Sequence, residues 1–435
     1  MKKFKSVLNI PYGKYCSPIR IMFRPTRLVC LLIYFLPLFL NAQIQDTIKK
    51  QSTNERVTLN QNKNSTEQKD ALDLVKNLFH SRKKIENDSS KLKFHKVLLV
   101  FLPGFGYTVQ TNVTIVASAN ISFYTDTAHT NNLSTISSDI EYSPAYRQII
   151  VPIIFNSWNR NNTVNLSLDC RYMKVPTFTY GLGGNTSLSN AFKVDYSYVK
   201  ISVIPYIAIR SNLYAAIGYN LDYHWRIKSN GDSSDFTNYS RGEHFSSSSG
   251  FSLSLKYDSR INSNNPQGGL YFVIALRDNF LFLGSSEKWK SIIIDTRKYI
   301  RIKSTRYQLL AFWSYNVFSF GGKVPYFDLP NNGSDSYALT GRGYRPGRFR
   351  GNRLLYAEME YRFGITSNGL FGGVAFANAE TISEWPTNHF TTISPAAGVG
   401  LRVKVNKYSN VNYAIDYGVG LKGSRGFFIH LCEVF

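Results

Sequence analysis

The chain is poor in cysteine and in acidic residues, and after residue 97 it lacks apolar runs long enough to cross a membrane as helices. Its 435 residues include 4 Cys and 28 acidic residues against 51 Lys and Arg, so the formal net charge is +23. Cys16 and Cys30 lie near the N-terminus, whereas Cys170 and Cys432 are far apart in sequence. A disulfide framework and a bundle of membrane helices are therefore both excluded.

Motifs for catalysis and for metal binding are also missing. There is no Gly-x-Ser-x-Gly, no His-Glu-x-x-His and no paired Cys-x-x-Cys, and the 7 histidines are scattered. The glycines between Gly341 and Gly347 have the wrong spacing for a phosphate loop, and no helix follows them. We therefore expect no enzymatic activity, no metal site and no cofactor.

The first residues have the pattern of a secretory signal. Seven basic residues and no acid precede the apolar run Leu28 to Leu40, and Asn41-Ala42 follows it. The run spans about 13 residues, short of the roughly 20 that a membrane helix needs. This pattern predicts a cleaved signal peptide at residues 1–42, and Met22 is an equally good start for it. An exported basic protein is expected to meet anionic lipid and lipopolysaccharide rather than nucleic acid.

Residues 43–96 are polar and predict a periplasmic N-terminal segment. They are rich in Asn, Gln, Ser, Thr and Lys, and only Ala71 to His80 places apolar residues at helical spacing. A helix this short is marginal in water by itself, and plugging a lumen or docking a partner is the other interpretation.

Strand-length alternation fills residues 97–435 and predicts one all-β unit. The clearest case places Val113, Ile115 and Ala117 on one face and Thr114 and Ser118 on the other. Aromatic residues are abundant, with 30 Phe and 29 Tyr. Sixteen such segments recur about every 20 residues, each near the length of a tilted membrane strand. They predict a transmembrane antiparallel β-barrel of 16 strands.

The connections between these segments alternate in length. Long ones are predicted on one side at 175–192, 228–245, 321–352 and 378–394, and tight turns on the other, as at Arg210-Ser211-Asn212. Outer-membrane barrels have this asymmetry, with short periplasmic turns and long external loops. A soluble sandwich has no reason for it.

The most informative stretch is the basic loop Gly341 to Gly351 with the strand that follows it. Leu355, Ala357 and Met359 form an apolar face, and the alternate face carries Glu358 and Glu360. In a membrane barrel the charged face lines the lumen, and the loop before it can fold inward to meet it.

Here the sequence resembles the BamA/TamA family of bacterial surface antigens. Gly341-Arg342-Gly343-Tyr344 is similar to the family's arginine-glycine-aromatic motif. Further segments follow in the family's order and cover residues 97–435: Tyr146 to Gln148, Arg171-Tyr172 with Pro176, Tyr180 to Gly183, Asp258-Ser259-Arg260 with Pro266 and Gly269, Val324-Pro325-Tyr326, Glu360-Tyr361-Arg362, Phe376-Ala377-Asn378, Asp416-Tyr417-Gly418 and Phe435.

The resemblance implies an inward-folded loop between strands 11 and 12, with the motif arginine meeting the wall of the following strands. Carried over, Arg342 is that arginine, with Glu358 and Glu360 as its luminal partners. Asn378 stands where the family often has Asp, which implies a weaker third link. Arg345, Arg348 and Arg350 are expected to be less constrained.

The C-terminal residues predict the closing strand. Phe427, Ile429, Leu431 and Phe435 share one parity and end on an aromatic residue, which suits pairing with the first strand. Glu433 interrupts this row and is expected at the periplasmic rim.

The resemblance implies assembly or translocation of protein or lipid clients in the outer membrane, by opening of the seam between first and last strands. Periplasmic or outer-membrane protein partners are implied as well. Residues 43–96 are too short and too polar for the family's POTRA domains, so insertase activity does not transfer directly. A passive channel, a surface receptor and a structural barrel remain alternatives.

Overall fold

The structure is a computed structural model that describes residues 68–71, 73, 97–108, 112–126, 132–145, 147–229, 234–240, 242–260, 262–302 and 307–435. The predicted signal peptide, residues 1–42, and most of the predicted periplasmic segment, residues 43–96, lie outside the described residues. No helix among the described residues is long and apolar enough to cross a membrane.

Sixteen strands account for most of the described chain. Their bounds are β1 Leu98–Thr108, β2 Asn112–Phe123, β3 Ser134–Ser143, β4 Gln148–Trp158, β5 Val164–Thr179, β6 Phe192–Arg210, β7 Leu213–Ser229, β8 Phe245–Asp258, β9 Gly269–Asn279, β10 Trp289–Arg301, β11 Gln308–Phe320, β12 Arg353–Gly364, β13 Phe371–Ser383, β14 Phe390–Asn406, β15 Val411–Gly420 and β16 Arg425–Leu431. A helix, α1, spans Ser234–Ser240. Short 3₁₀ turns span Leu188–Asn190, Leu281–Leu283 and Tyr326–Asp328.

The strands form one antiparallel sheet in chain order. Each strand pairs with the next, and β1 and β16 are the two edges of the ladder that the described residues form. This confirms the predicted 16-stranded antiparallel architecture. Neighbouring connections alternate between the two ends of such a sheet, as the loop pattern requires.

Burial along the strands is inverted relative to a soluble protein. On β12, Glu358 and Glu360 are 4% and 0% exposed, whereas Met359 between them is 46% exposed. On β8, Ser252 and Ser254 are buried while Leu253 is 60% exposed. A polar interior behind an apolar exterior is the pattern of a barrel whose outer face contacts lipid.

The longest described connection, residues 321–352 between β11 and β12, folds inward. Its residues Val324, Tyr326 and Leu329 belong to a buried cluster with Trp289. The connection between β13 and β14 is shorter than predicted, because β13 continues to Ser383 and β14 already begins at Phe390. The small and polar residues of both strands continue the alternation, so the strands extend into the range 378–394 that the sequence predicts as a loop.

The end of the chain departs from the predicted closing strand. Phe427 and Ile429 face outward, at 66% and 47% exposure, and β16 ends at Leu431. Cys432 then takes a φ of 72°, which breaks the strand parity. Phe435 is 2% exposed and packs in the interior, so assigning it to the outward row of the closing strand was wrong.

Candidate functional site in the barrel lumen

Arg342 lies at the centre of a buried charge cluster. The inward loop carries it to the polar face of β12, where its Nη2 donates to Glu358 Oε1 and Glu360 Oε1. Its Nη1 donates to Asp416 Oδ2 on β15. Side chains of all four residues are 0% exposed. A buried guanidinium requires such partners because an unpaired charge in the interior is very costly.

Strand β13 supplies the remaining contacts of Arg342. The ring of Phe376 lies 3.8 Å from the guanidinium carbon, a cation–π geometry. Asn378 Nδ2 donates to the carbonyl oxygen of Arg342 at 2.9 Å and to Glu358 Oε2 at 3.3 Å. Asn378 therefore holds the loop backbone, since a neutral amide has no charge with which to pair the guanidinium.

Glycines on β15 make room for the part of the inward loop at Gly341 to Tyr344. A Cβ on Gly418 would lie 2.8 Å from the Gly343 nitrogen, and one on Gly420 would lie 2.5 Å from the Tyr344 ring. The Tyr344 hydroxyl donates to the Pro395 carbonyl oxygen at 2.6 Å and accepts from the Leu421 N–H at 2.9 Å. The loop thus lies flat on strands β14 and β15, and Gly341, Arg342, Gly343 and Tyr344 are all buried.

The cluster continues into a closed ring of alternating charges. Arg362 Nε donates to Glu360 Oε2 at 2.7 Å, and the same nitrogen lies 3.8 Å from Glu433 Oε2. Arg402 Nε donates to Glu433 Oε2 at 2.8 Å, and its Nη1 donates to Asp416 Oδ1. The ring therefore runs Arg342, Glu360, Arg362, Glu433, Arg402, Asp416 and back to Arg342. It joins the motif loop to the last residues of the chain.

The C-terminal residues complete this side of the lumen. Glu433, expected at the periplasmic rim, is instead buried in the ring, because the turn at Cys432 directs it inward. The carbonyl oxygen of Phe435 accepts from Arg362 Nη2 at 2.9 Å. Its ring centroid lies 5.1 Å from that of Trp313.

Further contacts hold the loop to β8, to its own backbone and to the connection between β15 and β16. Asp328 Oδ2 accepts from Ser248 Oγ at 2.6 Å, and Arg350 Nη1 donates to the Tyr326 carbonyl oxygen at 3.0 Å. Arg348 is 1% exposed and donates to Ser424 Oγ. The expectation that Arg348 and Arg350 are less constrained was therefore wrong, because the loop buries both against its own backbone and the wall.

The end of the lumen opposite the inward loop holds the connection between β8 and β9. Asn264, 4% exposed, donates from Nδ2 to Ser122 Oγ at 3.0 Å and to the Ser409 carbonyl oxygen at 3.3 Å. Its own carbonyl oxygen accepts from the Glu433 N–H at 2.9 Å. Within the described part of the chain, no group of three or more His, Cys, Asp or Glu residues is arranged to hold a metal ion.

The described part of the N-terminal segment reaches the same end of the barrel. Asp70 Oδ1 accepts from the Asp73 N–H at 2.9 Å, and Asp73 Oδ2 accepts from the Asp70 N–H at 3.2 Å, which is the reciprocal pattern of a capping box. Lys407, in the turn between β14 and β15, donates from Nζ to Asp73 Oδ2 at 2.8 Å.

Sequence reasoning paired Arg342 with β12 but missed Asp416, Arg402 and Glu433 as members of one ring. In the sequence, Asp416 stands out only within the family-like segment Asp416-Tyr417-Gly418. The alternation along β15 indicates that Asp416 faces the lumen. Ala414, Asp416 and Gly418 lie on one face of the strand, and Ile415 and Tyr417 lie on the apolar, outward face. No comparable signal existed for Glu433, because it lies after the end of the last strand.

The family model described as the Omp85 superfamily domain matches residues 104–422. The chain is similar to BamA from Haemophilus ducreyi lacking POTRA domains 1-3, at 14% identity and a TM-score of 0.48, over 77% of this chain and 69% of that chain. It is also similar to CdiB from Acinetobacter baumannii, at 12% identity and a TM-score of 0.49, over 76% and 59%. No curated protein matches the sequence. The family match thus runs from β1 to the connection that precedes β16.

Proposed function

The chain belongs to the Omp85 superfamily, and from that premise we propose that it is an outer-membrane barrel that assembles or translocates protein or lipid clients. Export by a signal peptide at residues 1–42 and a periplasmic location for residues 43–96 are parts of the same proposal. In this function the client is moved or inserted, and no covalent bond is made or broken.

The observation that carries the proposal is the pair of edges left by the sheet. The ladder of the described residues runs without a break from β1 to β16 and ends at those two strands. Separating β1 from β16 would disrupt none of the ladders between consecutive strands. A sheet edge presents backbone donors and acceptors that can pair with an incoming strand, so the seam is the natural place for a client to enter.

The filled lumen argues against the alternative of a passive channel. The inward loop occupies the lumen from one side, and the β8–β9 connection with the C-terminal residues occupies the other. We expect the intact protein to show little current in planar bilayers, and a variant lacking residues 342–350 to show more. A large steady conductance of the intact protein would favour the channel.

A seam lock tests the proposal directly. Cysteines at Phe101 on β1 and Ile429 on β16, which both face outward, would be joined by a bifunctional maleimide in a background carrying Cys170→Ser and Cys432→Ser. The matched control joins cysteines at Ala117 and Ile140, which are partners in the β2–β3 ladder and do not bridge the seam.

The readout is the protein and lipid content of the outer membrane in cells that depend on each variant. We expect the seam lock to reproduce the loss seen on depletion of the protein, and the control lock to behave as wild type. Full function with the seam locked would reject entry between β1 and β16.

A further inference from the structure

An apolar cavity of about 230 Å³ lies inside the barrel beside the seam. Its walls are the tip of the inward loop at Ser336 to Leu339, the inner faces of β1 to β5, and residues of β15 and β16. Most of the wall is apolar, and cavities of roughly 150 Å³ with apolar walls already take up small apolar molecules. The cavity is smaller than the roughly 300–1,000 Å³ of a typical ligand pocket, so it fits part of a chain rather than a whole amphiphile.

Strand β4 explains why this sector of the lumen is apolar. Its residues Ile149 to Phe155 are all apolar, so the strand has no polar face over most of its length. Ile150, Pro152 and Ile154 line the cavity. A barrel strand needs only its outer face to be apolar for contact with lipid, and β8 and β12 follow that rule. The second apolar face of β4 therefore suits an apolar occupant on the inside.

The cavity reaches the outer surface at the seam. Ile429 on β16 lines the cavity and is also 47% exposed on the lipid-facing side. Leu102 and Gly104 line it from β1. Between them, Pro103 has no N–H to donate, and proline on an edge strand disfavours addition of a further strand. This part of the edge therefore suits a hydrocarbon better than a peptide backbone.

Charges on the wall define which part of an amphiphile enters. Asp139 and Glu141 on β3 line the cavity, and the guanidinium of Arg171 is held by Asp169 at 2.6 Å and 2.8 Å. The carboxyl groups offer a phosphate no positive charge and Arg171 is already paired, so an anionic head group is kept outside. We propose that the cavity takes up a hydrocarbon chain of a membrane phospholipid, admitted between β1 and β16 with its head group left in the bilayer interface.

This inference rests on the membrane location of the barrel and not on client handling. It is tested with the purified full chain in lipid nanodiscs that contain a phosphatidylethanolamine with a diazirine near the end of one acyl chain. After illumination, labelled peptides are mapped by mass spectrometry. We expect labels on the inward cavity residues Leu102, Ile150 and Met173, in addition to outward residues elsewhere on the barrel.

Two adjacent residues of β4 offer a matched pair of variants. Ile154→Trp fills the cavity and is expected to lower labelling of its wall at least about tenfold. Ile153→Trp places the same side chain on the outer face and should leave cavity labelling unchanged. Ile154→Asn makes the wall polar without adding bulk, so it gives the same expected loss if the tryptophan variant does not fold. Heat-modifiable gel migration reports folding of each variant.

The proposal is overturned if the cavity residues are not labelled, or if both tryptophan variants label equally. Labelling of the cavity by a diazirine-bearing lipopolysaccharide but not by the phospholipid would also overturn it. The nanodiscs contain no client, so absence of cavity labelling would not contradict client entry at the seam. Conversely, full function of the seam-locked protein would not contradict uptake of a hydrocarbon chain by the isolated barrel.

Discussion

Replacing Arg342 by alanine perturbs the centre of the charge ring. The guanidinium is fully buried, donates to Glu358, Glu360 and Asp416, and stacks on Phe376 at 3.8 Å. Alanine would remove the shared donor and leave its carboxylates in a water-poor interior. The loop that carries Arg342 would lose its main contact with the barrel wall.

The loss of stability depends on which hydrogen-bond donors each carboxylate retains when Arg342 is removed. Glu360 still has Arg362 at 2.7 Å, and Asp416 still has Arg402. Glu358 keeps only neutral donors, the hydroxyl of Tyr356 and the amide of Asn378. Breaking one buried ion pair costs about 3–5 kcal/mol. Because two of the three carboxylates retain an arginine, we expect the free energy of unfolding to fall by about 3 kcal/mol.

The assay compares variants refolded in detergent. Urea titration followed by heat-modifiable migration gives the stability, and limited proteolysis reports the loop at residues 321–352. Arg345→Ala is the matched control, because Arg345 lies in the same loop, is half-buried and has no ion pair with another described residue. Arg342→Lys should recover only part of the loss, since an ammonium lacks the fork that spans three carboxylates.

A double variant makes the reasoning refutable. If Glu358 is the carboxylate left without a cation, adding Glu358→Gln to Arg342→Ala should restore at least about 1 kcal/mol. Equal stability of Arg342→Ala and Arg345→Ala would contradict the central role of Arg342. A further loss of stability when Glu358 is neutralised in the Arg342→Ala background would contradict it as well.

Two further predictions concern the loop backbone and the end of the chain. Gly343→Ala should lower stability by about 2 kcal/mol or more, because φ is +111° and the new Cβ would lie 2.6 Å from Ala396 Cβ. Gly369→Ala, with φ +70° and open space, should cost only about 1 kcal/mol, and an equal loss at both sites by urea titration would contradict the packing argument. Phe435→Ala should lower stability by about 3 kcal/mol, since the ring is 2% exposed. Phe427→Ala on the lipid face should lower stability much less in the same assay. A larger loss for Phe427→Ala than for Phe435→Ala would contradict the buried position of Phe435.

The membrane architecture was predictable from local pattern. Alternation with period two predicted sixteen strands and the buried face of β12, because a side chain's face is set within its own strand. Loop lengths predicted a long connection between β11 and β12, and the resemblance of Gly341 to Tyr344 to the family motif implied that this connection folds inward. The bounds of β13 and β14 were less predictable, because small and polar residues at Asn378 to Ser394 are common both in loops and on a luminal face.

The arrangement of the candidate site required the tertiary structure. The alternation within β12 and β15 predicts that Glu358 and Asp416 face the lumen. It does not predict that both side chains contact Arg342, because their strands are three apart in the sheet. Only the curvature of the sheet brings them together with Arg402. The position of Phe435 was decided by one residue, Cys432, whose left-handed backbone ends the alternation.

The sequence by itself therefore determined the strand number and, along most strands, the alternation of outward and inward side chains. It also predicted the compartment of the chain. These depend on composition and on spacing between near neighbours, which a linear pattern records. Only the tertiary structure decided the closed ring of charges, the inward C-terminal residues and the cavity beside β4. Each of these joins residues from distant strands, and such contacts depend on how the sheet closes around its contents.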